Sequence, residues 1–140
     1  MKENIYTKQH VNRHEYSMHT YVYNLVLVNV PKIISWDQET EQMQIEKIPN
    51  LDLSNYYGEK FDKVPKNLTE NVREIIKILK LNNIIYPDIT GYNFINHENK
   101  IWIIDFEHSY FDFGDGTTKP NKFIDEFING VVNDWNPNFK

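Results

Sequence analysis

Tyr86-Pro-Asp-Ile-Thr-Gly-Tyr-Asn-Phe-Ile95, followed by Ile101-Trp-Ile-Ile-Asp-Phe-Glu107, decides the reading of this chain. An apolar strand, Ile84–Tyr86, runs into a loop at Pro87–Gly91 that carries Asp88. Asn93 follows five residues later, at the start of a second extended segment, Tyr92–Ile95. A polar turn at His97–Lys100 leads to the apolar strand Ile101–Ile104, which stops abruptly at Asp105. Such a hairpin brings Asp88, Asn93 and Asp105 to one edge. Two carboxylates and an amide oxygen are hard ligands suited to Mg²⁺. Mg²⁺ in turn suits polyphosphate chemistry, where catalysis is mainly positioning and charge neutralisation. Alone, Asp88 after Pro87 reads as an ordinary turn residue. The three polar residues at matching strand positions make the pattern informative.

Outward from this segment the elements alternate. Asn4–Lys8 reads as a short strand. Asn12 is a candidate N-cap for a helix to Leu25, with Met18, Val22 and Leu25 on one face. Lys32–Trp36 and Met43–Ile48 form a hairpin around the polar turn Asp37–Glu41. Leu51–Tyr57 reads as a short helix. Asn67 and Glu70 resemble a capping box, and Val72, Ile75, Ile76 and Leu79 then mark a buried helix face that Asn82 and Asn83 end. A final helix is expected over Asn121–Val132, with Ile124, Phe127, Ile128 and Val131 on one face. The order is an α+β pattern.

These residues resemble the catalytic loop and metal-binding Asp of the protein-kinase-like superfamily. The likeness is greatest to its atypical branch: RIO-type kinases, the small kinase of the KEOPS complex, and aminoglycoside and choline phosphotransferases. Asp105-Phe-Glu107 is closer to the last two than to the usual Asp-Phe-Gly. The resemblance covers about residues 5 to 113 and implies a set of roles. Asp88 is the catalytic residue that orients the acceptor hydroxyl. Asn93 and Asp105 hold Mg²⁺. Glu15 matches the glutamate of the helix that pairs with the strand lysine, Lys8, which holds the ATP phosphates. Met43-Gln-Ile-Glu-Lys-Ile48 matches the hinge, with Glu46, Lys47 and Ile48 receiving adenine. The implied fold is a minimal kinase-like one. Residues 1–48 make a reduced N-lobe and residues 49–140 a shortened C-lobe of a single domain.

Departures from the family pattern accompany the match. The chain has five glycines and the first is Gly58, so there is no Gly-rich loop. Tyr86 and Pro87 replace the usual residues before the catalytic Asp. Little chain follows Asp105, so the usual activation segment is not expected. Two outcomes stay open: an ATP- and Mg²⁺-dependent phosphotransferase acting on a Ser/Thr or small-molecule hydroxyl, or a pseudokinase interaction module. A partner protein that completes the site is a third.

Bulk properties narrow the classes. A length of 140 residues implies one domain. The net charge of −5 disfavours a general nucleic-acid binder. The absence of cysteine excludes disulfides, thiolate nucleophiles and Cys-ligated zinc. Met1–His10 has no apolar stretch resembling a signal peptide, and Tyr21–Ile34 is too short and polar to span a bilayer. A cytosolic protein without membrane partners is expected. His10, His14 and His19 read as solvent-exposed. His108 reads equally as a phosphate neighbour or a hydrogen-bonding loop residue. Asp112 and Asp115 read as a solvated acidic loop, and Trp36, Trp102 and Trp135 as packing residues.

Overall fold

Strand β1 (Ile5–Lys8) carries Lys8 at its end. The computed structural model describes residues 4–139. β1 pairs antiparallel with β3 (Gln42–Glu46), setting Lys8 opposite Met43, and β2 (Ile33–Asp37) pairs with the other edge of β3. The sheet order is therefore β1-β3-β2. Alternation along β3 buries Met43 and Ile45, which join Val11 in a small apolar cluster. Trp36 closes that cluster by stacking on Tyr16 at 4.3 Å and donating its indole N–H to the Val11 carbonyl at 2.9 Å.

Helix α1 (Arg13–Leu25) crosses this sheet. The Asn12 side chain accepts the Glu15 N–H at 2.9 Å and fixes the first turn. Met18 and Val22 face the larger core of the molecule, so α1 contacts both apolar clusters. Val26 ends the helix in the left-handed region at φ 58, although it is β-branched and largely exposed. That conformation costs a non-glycine residue about 1–2 kcal/mol. Val26→Gly relieves it and loses part of the gain to chain entropy. The expected result is a melting temperature a few degrees higher, for about 0.5–1 kcal/mol. An unchanged or lower melting point in a thermal scan would contradict the strain.

The larger core is organised by α3 (Lys66–Leu81), whose Leu68, Val72, Ile75, Ile76 and Leu79 are buried. Here a sequence expectation is corrected. The N-cap is Pro65, with no side-chain cap, and Asn67 already lies inside the first turn. Proline's fixed φ prepares the helix start, so the Asn67–Glu70 box has no cap to make. Asn82 closes the other end by donating its amide to the Ile78 carbonyl at 2.8 Å.

After β4 (Ile84–Ile85), a 3-10 turn at Gly91–Asn93 leads into β5 (Phe94–His97), and β6 (Lys100–Ile103) returns antiparallel. Asn93 thus ends a tight turn and does not open a strand. Glu98 and Asn99 both have positive φ, 52 and 64, which makes the two-residue turn that suits a twisted hairpin. Gly91 has no room for a side chain, since a Cβ there would lie 2.2 Å from the Ser54 hydroxyl at the start of α2 (Leu53–Tyr57). A pairing absent from the sequence reading joins β7 (Tyr110–Phe111) to β4.

The last helix, α4 (Lys122–Ile128), is capped by Asn121 and ends four residues before the expected Val132. Gly130 turns left-handed at φ 77, and the N–H groups of Val131 and Val132 both return to the Glu126 carbonyl. Val131 is consequently exposed. No helix among the described residues is long and apolar enough to cross a membrane.

Candidate functional site

A cavity of about 450 Å³ opens between the three-stranded sheet and the β5–β6 hairpin. Lys8, Glu15, Asn93 and Asp105 line it at one end, and Glu46, Lys47 and Ile48 line it at the other. Its size suits a nucleotide-scale ligand. The Ile48 N–H makes no hydrogen bond among the described residues, whereas the Glu46 and Lys47 N–H groups are spent on Lys32 and Asn4.

Lys8 connects the sheet to the hairpin. Its ammonium lies 2.5 Å from Glu15 and 3.2 Å from Asp105, a residue 97 positions away. The Asn12 cap presents Glu15 to the strand end despite the short β1–α1 connection. Burial lowers the Lys8 pKa, but the Asp105 and Glu15 carboxylates outweigh it, so the pKa rises and the ammonium stays charged. Burial, together with the Asp105 and Glu107 charges, raises the Glu15 carboxyl against the lowering by Lys8.

Asp105 follows β6 with φ 66, a left-handed residue that swings the side chain out of the strand's alternation. Asp is one of the few non-glycine residues at ease there. The Tyr86 phenol donates to the Ile104 carbonyl at 2.5 Å and ties the segment before Asp88 to the one before Asp105. The Ile104 N–H bonds the Asn93 carbonyl at 3.0 Å. Asn93 donates its side-chain NH₂ to the Asp88 carbonyl at 2.9 Å. Its amide oxygen is then the end left for a cation.

Asp88 does not line the cavity. It sits beyond Asp105, largely buried, with its carboxylate 3.4 Å from the His108 ring. Burial, then the Asp105 charge, raise its pKa against the lowering contact with His108. The carboxylate oxygens of Glu15, Asp105 and Glu107 lie within 4.8 Å of one another. Glu15 is engaged by Lys8. That leaves Asp105 and Glu107 as the carboxylates of this cluster, and Asn93 lines the same cavity as Asp105; oxygen donors of this kind fit the chemistry of Mg²⁺.

Three site residues, Glu107, Tyr6 and His19, escaped the sequence reading. Glu107 was noted only for its family likeness. Tyr6, two residues before Lys8 on β1, lines the cavity and is 51% exposed. His108 faces Asp88, as a hydrogen-bonding loop residue. His19 is the clear correction: it is buried, lines the cavity and bonds the Pro31 carbonyl at 2.7 Å through Nε2. Its position four residues after Glu15 and beside Met18 carried that signal. His14 is exposed, though its Nε2 reaches the Ser109 carbonyl. Asp112 and Asp115 accept from the N–H groups of Gly114 and Thr117 and act as turn residues.

Comparison with known proteins identifies the family. No curated protein matches the chain. A family model described as the RIO domain matches residues 2–110, a span that takes in Lys8, Glu15, Asp88, Asn93 and Asp105. The chain belongs to the RIO-domain family, whose members are atypical, protein-kinase-like ATP-binding phosphotransferases with an α+β fold.

Proposed function

We propose that the cavity binds Mg·ATP and that the chain transfers its γ-phosphoryl group to a hydroxyl of a protein Ser/Thr or a small alcohol. Lys8, held by Glu15, contacts the α- and β-phosphates. Asn93 and Asp105, with Glu107 beside them, hold Mg²⁺, which neutralises charge on the triphosphate. Adenine lies against Glu46–Ile48, where the Ile48 N–H is available to it. Asp88 orients the acceptor hydroxyl. In lobe terms, residues 1–48 supply the lysine and hinge, and residues 49–140 the metal and acceptor groups. The observation that carries this reading is the Lys8 ammonium bridging Glu15 and Asp105 at the cavity end.

The test is the melting temperature with and without Mg·ATP. Ligand at ~100 times its dissociation constant adds about 2.7 kcal/mol to stability. No shift at millimolar Mg·ATP would remove the nucleotide from the site. Tyr6 gives a finer check. Its ring is an aromatic surface on the sheet side of the cavity. Stacking of this kind is worth about 0.5–1.5 kcal/mol. Tyr6→Ala is therefore expected to weaken Mg·ATP binding roughly 3- to 10-fold, and an unchanged affinity would place the base elsewhere.

A second reading, an interaction module or a subunit that a partner protein completes, is favoured by the exposure of Ile5 and Tyr6 on β1. Nucleotide binding without turnover until a partner is added would support it.

A further inference from the structure

We propose that residues 134–139 are a strap that positions the Pro87–Thr90 loop, with Asn136 as the positioning residue for Asp88. The strap lies outside the residues matched by the family model. Within the loop the backbone bonds are local: Ile89 N–H to the Pro87 carbonyl at 2.8 Å and Thr90 N–H to the Asp88 carbonyl at 3.0 Å, while the Ile89 side chain packs in the core. Neither bond ties the loop backbone to the rest of the fold.

Asn136 supplies that tie. It is 2% exposed. Its side-chain NH₂ donates to the Pro87 carbonyl at 2.7 Å, and its backbone N–H donates to the Ile89 carbonyl at 2.8 Å. Asn93 donates to the carbonyl between them, that of Asp88. Three consecutive carbonyls are thus each held by an amide from elsewhere in the chain. With the peptide planes on both sides of Asp88 held, its Cα–Cβ direction is set, and with it the base from which the carboxylate is aimed. The Asn136 side chain is itself oriented, since its oxygen accepts the Asn138 N–H at 3.1 Å.

The strap is anchored at both ends. Trp135 is fully buried, 4.8 Å from the Phe61 ring and stacked on Phe94 at 6.5 Å. Upstream, the Arg73 guanidinium of α3 donates to the Phe127 and Val132 carbonyls and to the Asn133 side chain. Downstream, the Phe139 ring lies 5.1 Å from His108, which faces Asp88. Trp135 alone would account for a segment that merely fills the core. The two bonds from Asn136 to the carbonyls flanking Asp88 would not be needed for that.

The kinetic part of this proposal rests on the phosphotransferase reading, and the geometric part does not. Asn136→Asp keeps the side-chain shape and removes the donor. Native-state amide exchange should then quicken at Ile89 and Thr90 by roughly 10–100-fold, with α3 amides unchanged. The kcat for phosphoryl transfer should fall about 10²-fold while KM for Mg·ATP stays level. Loop exchange that stays in step with α3 would overturn the strap. If wild type shows no turnover, the transferase reading fails and the exchange result still judges the strap. Should the variant not fold, wild type serves: the Asn136 amide must exchange together with those of Ile89 and Thr90. A freely exchanging Asn136 beside a protected loop would refute the idea.

Discussion

Asp105→Asn is expected to lower Mg·ATP-dependent phosphoryl transfer by about 10³-fold and to abolish the Mg²⁺-dependent part of the thermal shift. Asn is the instructive replacement. Asp105 sits at φ 66, a conformation that Asn tolerates and Ala does not. The substitution therefore removes charge and leaves the backbone in place. What is lost is the carboxylate that follows β6, which lies 3.2 Å from the Lys8 ammonium and clusters with Glu107. Stability without ligand should change little. The Lys8–Asp105 pair is partly exposed, and Lys8 keeps Glu15 at 2.5 Å. Transfer at the wild-type rate, or an intact Mg²⁺-dependent shift, would remove Asp105 from the proposed metal site.

Asp88→Asn is expected to reduce transfer by about 10²–10⁴-fold while leaving Mg·ATP binding intact, because Asp88 lies outside the cavity. It is also expected to raise the melting temperature at neutral pH. Burial and the neighbouring Asp105 charge raise the Asp88 pKa above its ordinary value of 3.8. A carboxyl raised in the folded state favours folding when protonated. That contribution is fully present below pH 3.8 and is lost as pH rises through the folded-state pKa. At neutral pH the wild type therefore carries a carboxylate that opposes folding, and the neutral amide does not. The advantage of the variant should shrink as pH falls toward 3.8. A protein that loses activity and also melts lower at pH 7 would mean that the bond to His108 outweighs burial. Equal turnover in the two proteins would remove Asp88 from catalysis. A gain in stability with a loss of chemistry is what a functional site purchased at the fold's expense should show.

Much of the site was legible because its residues lie close together in sequence. Asp88, Asn93 and Asp105 fall within one short run of chain, from the loop after β4 to the end of the β5–β6 hairpin, and a polar residue interrupting an apolar run is visible without coordinates. Glu15 was read through family resemblance, and the structure shows the Asn12 cap fixing the first turn of α1 that presents it. Lys8 too was read through family resemblance, since nothing in its own neighbourhood distinguishes it from a solvated lysine. The structure makes the strand-to-helix turn through His10 in a left-handed conformation at φ 61. His19 was misread because charge-bearing residues on a helix are usually solvated, and the carbonyl that satisfies it belongs to Pro31.

The chain's local pattern was enough for the α+β order, the hairpins, the amphipathic face of α3 and the polar residues Asn93 and Asp105 at the two ends of the β5–β6 hairpin. Periodicity, caps and turn residues act over a few positions, where backbone geometry leaves few choices. The meeting of Lys8 with Asp105, the pairing of His108 with Asp88, the pairing of β4 with β7 and the grip of Asn136 on Pro87 were settled only by the tertiary structure. Each joins groups whose own neighbourhoods say nothing of the partner, and each forms because burial leaves a charge or a carbonyl that must find its counterpart from another part of the chain.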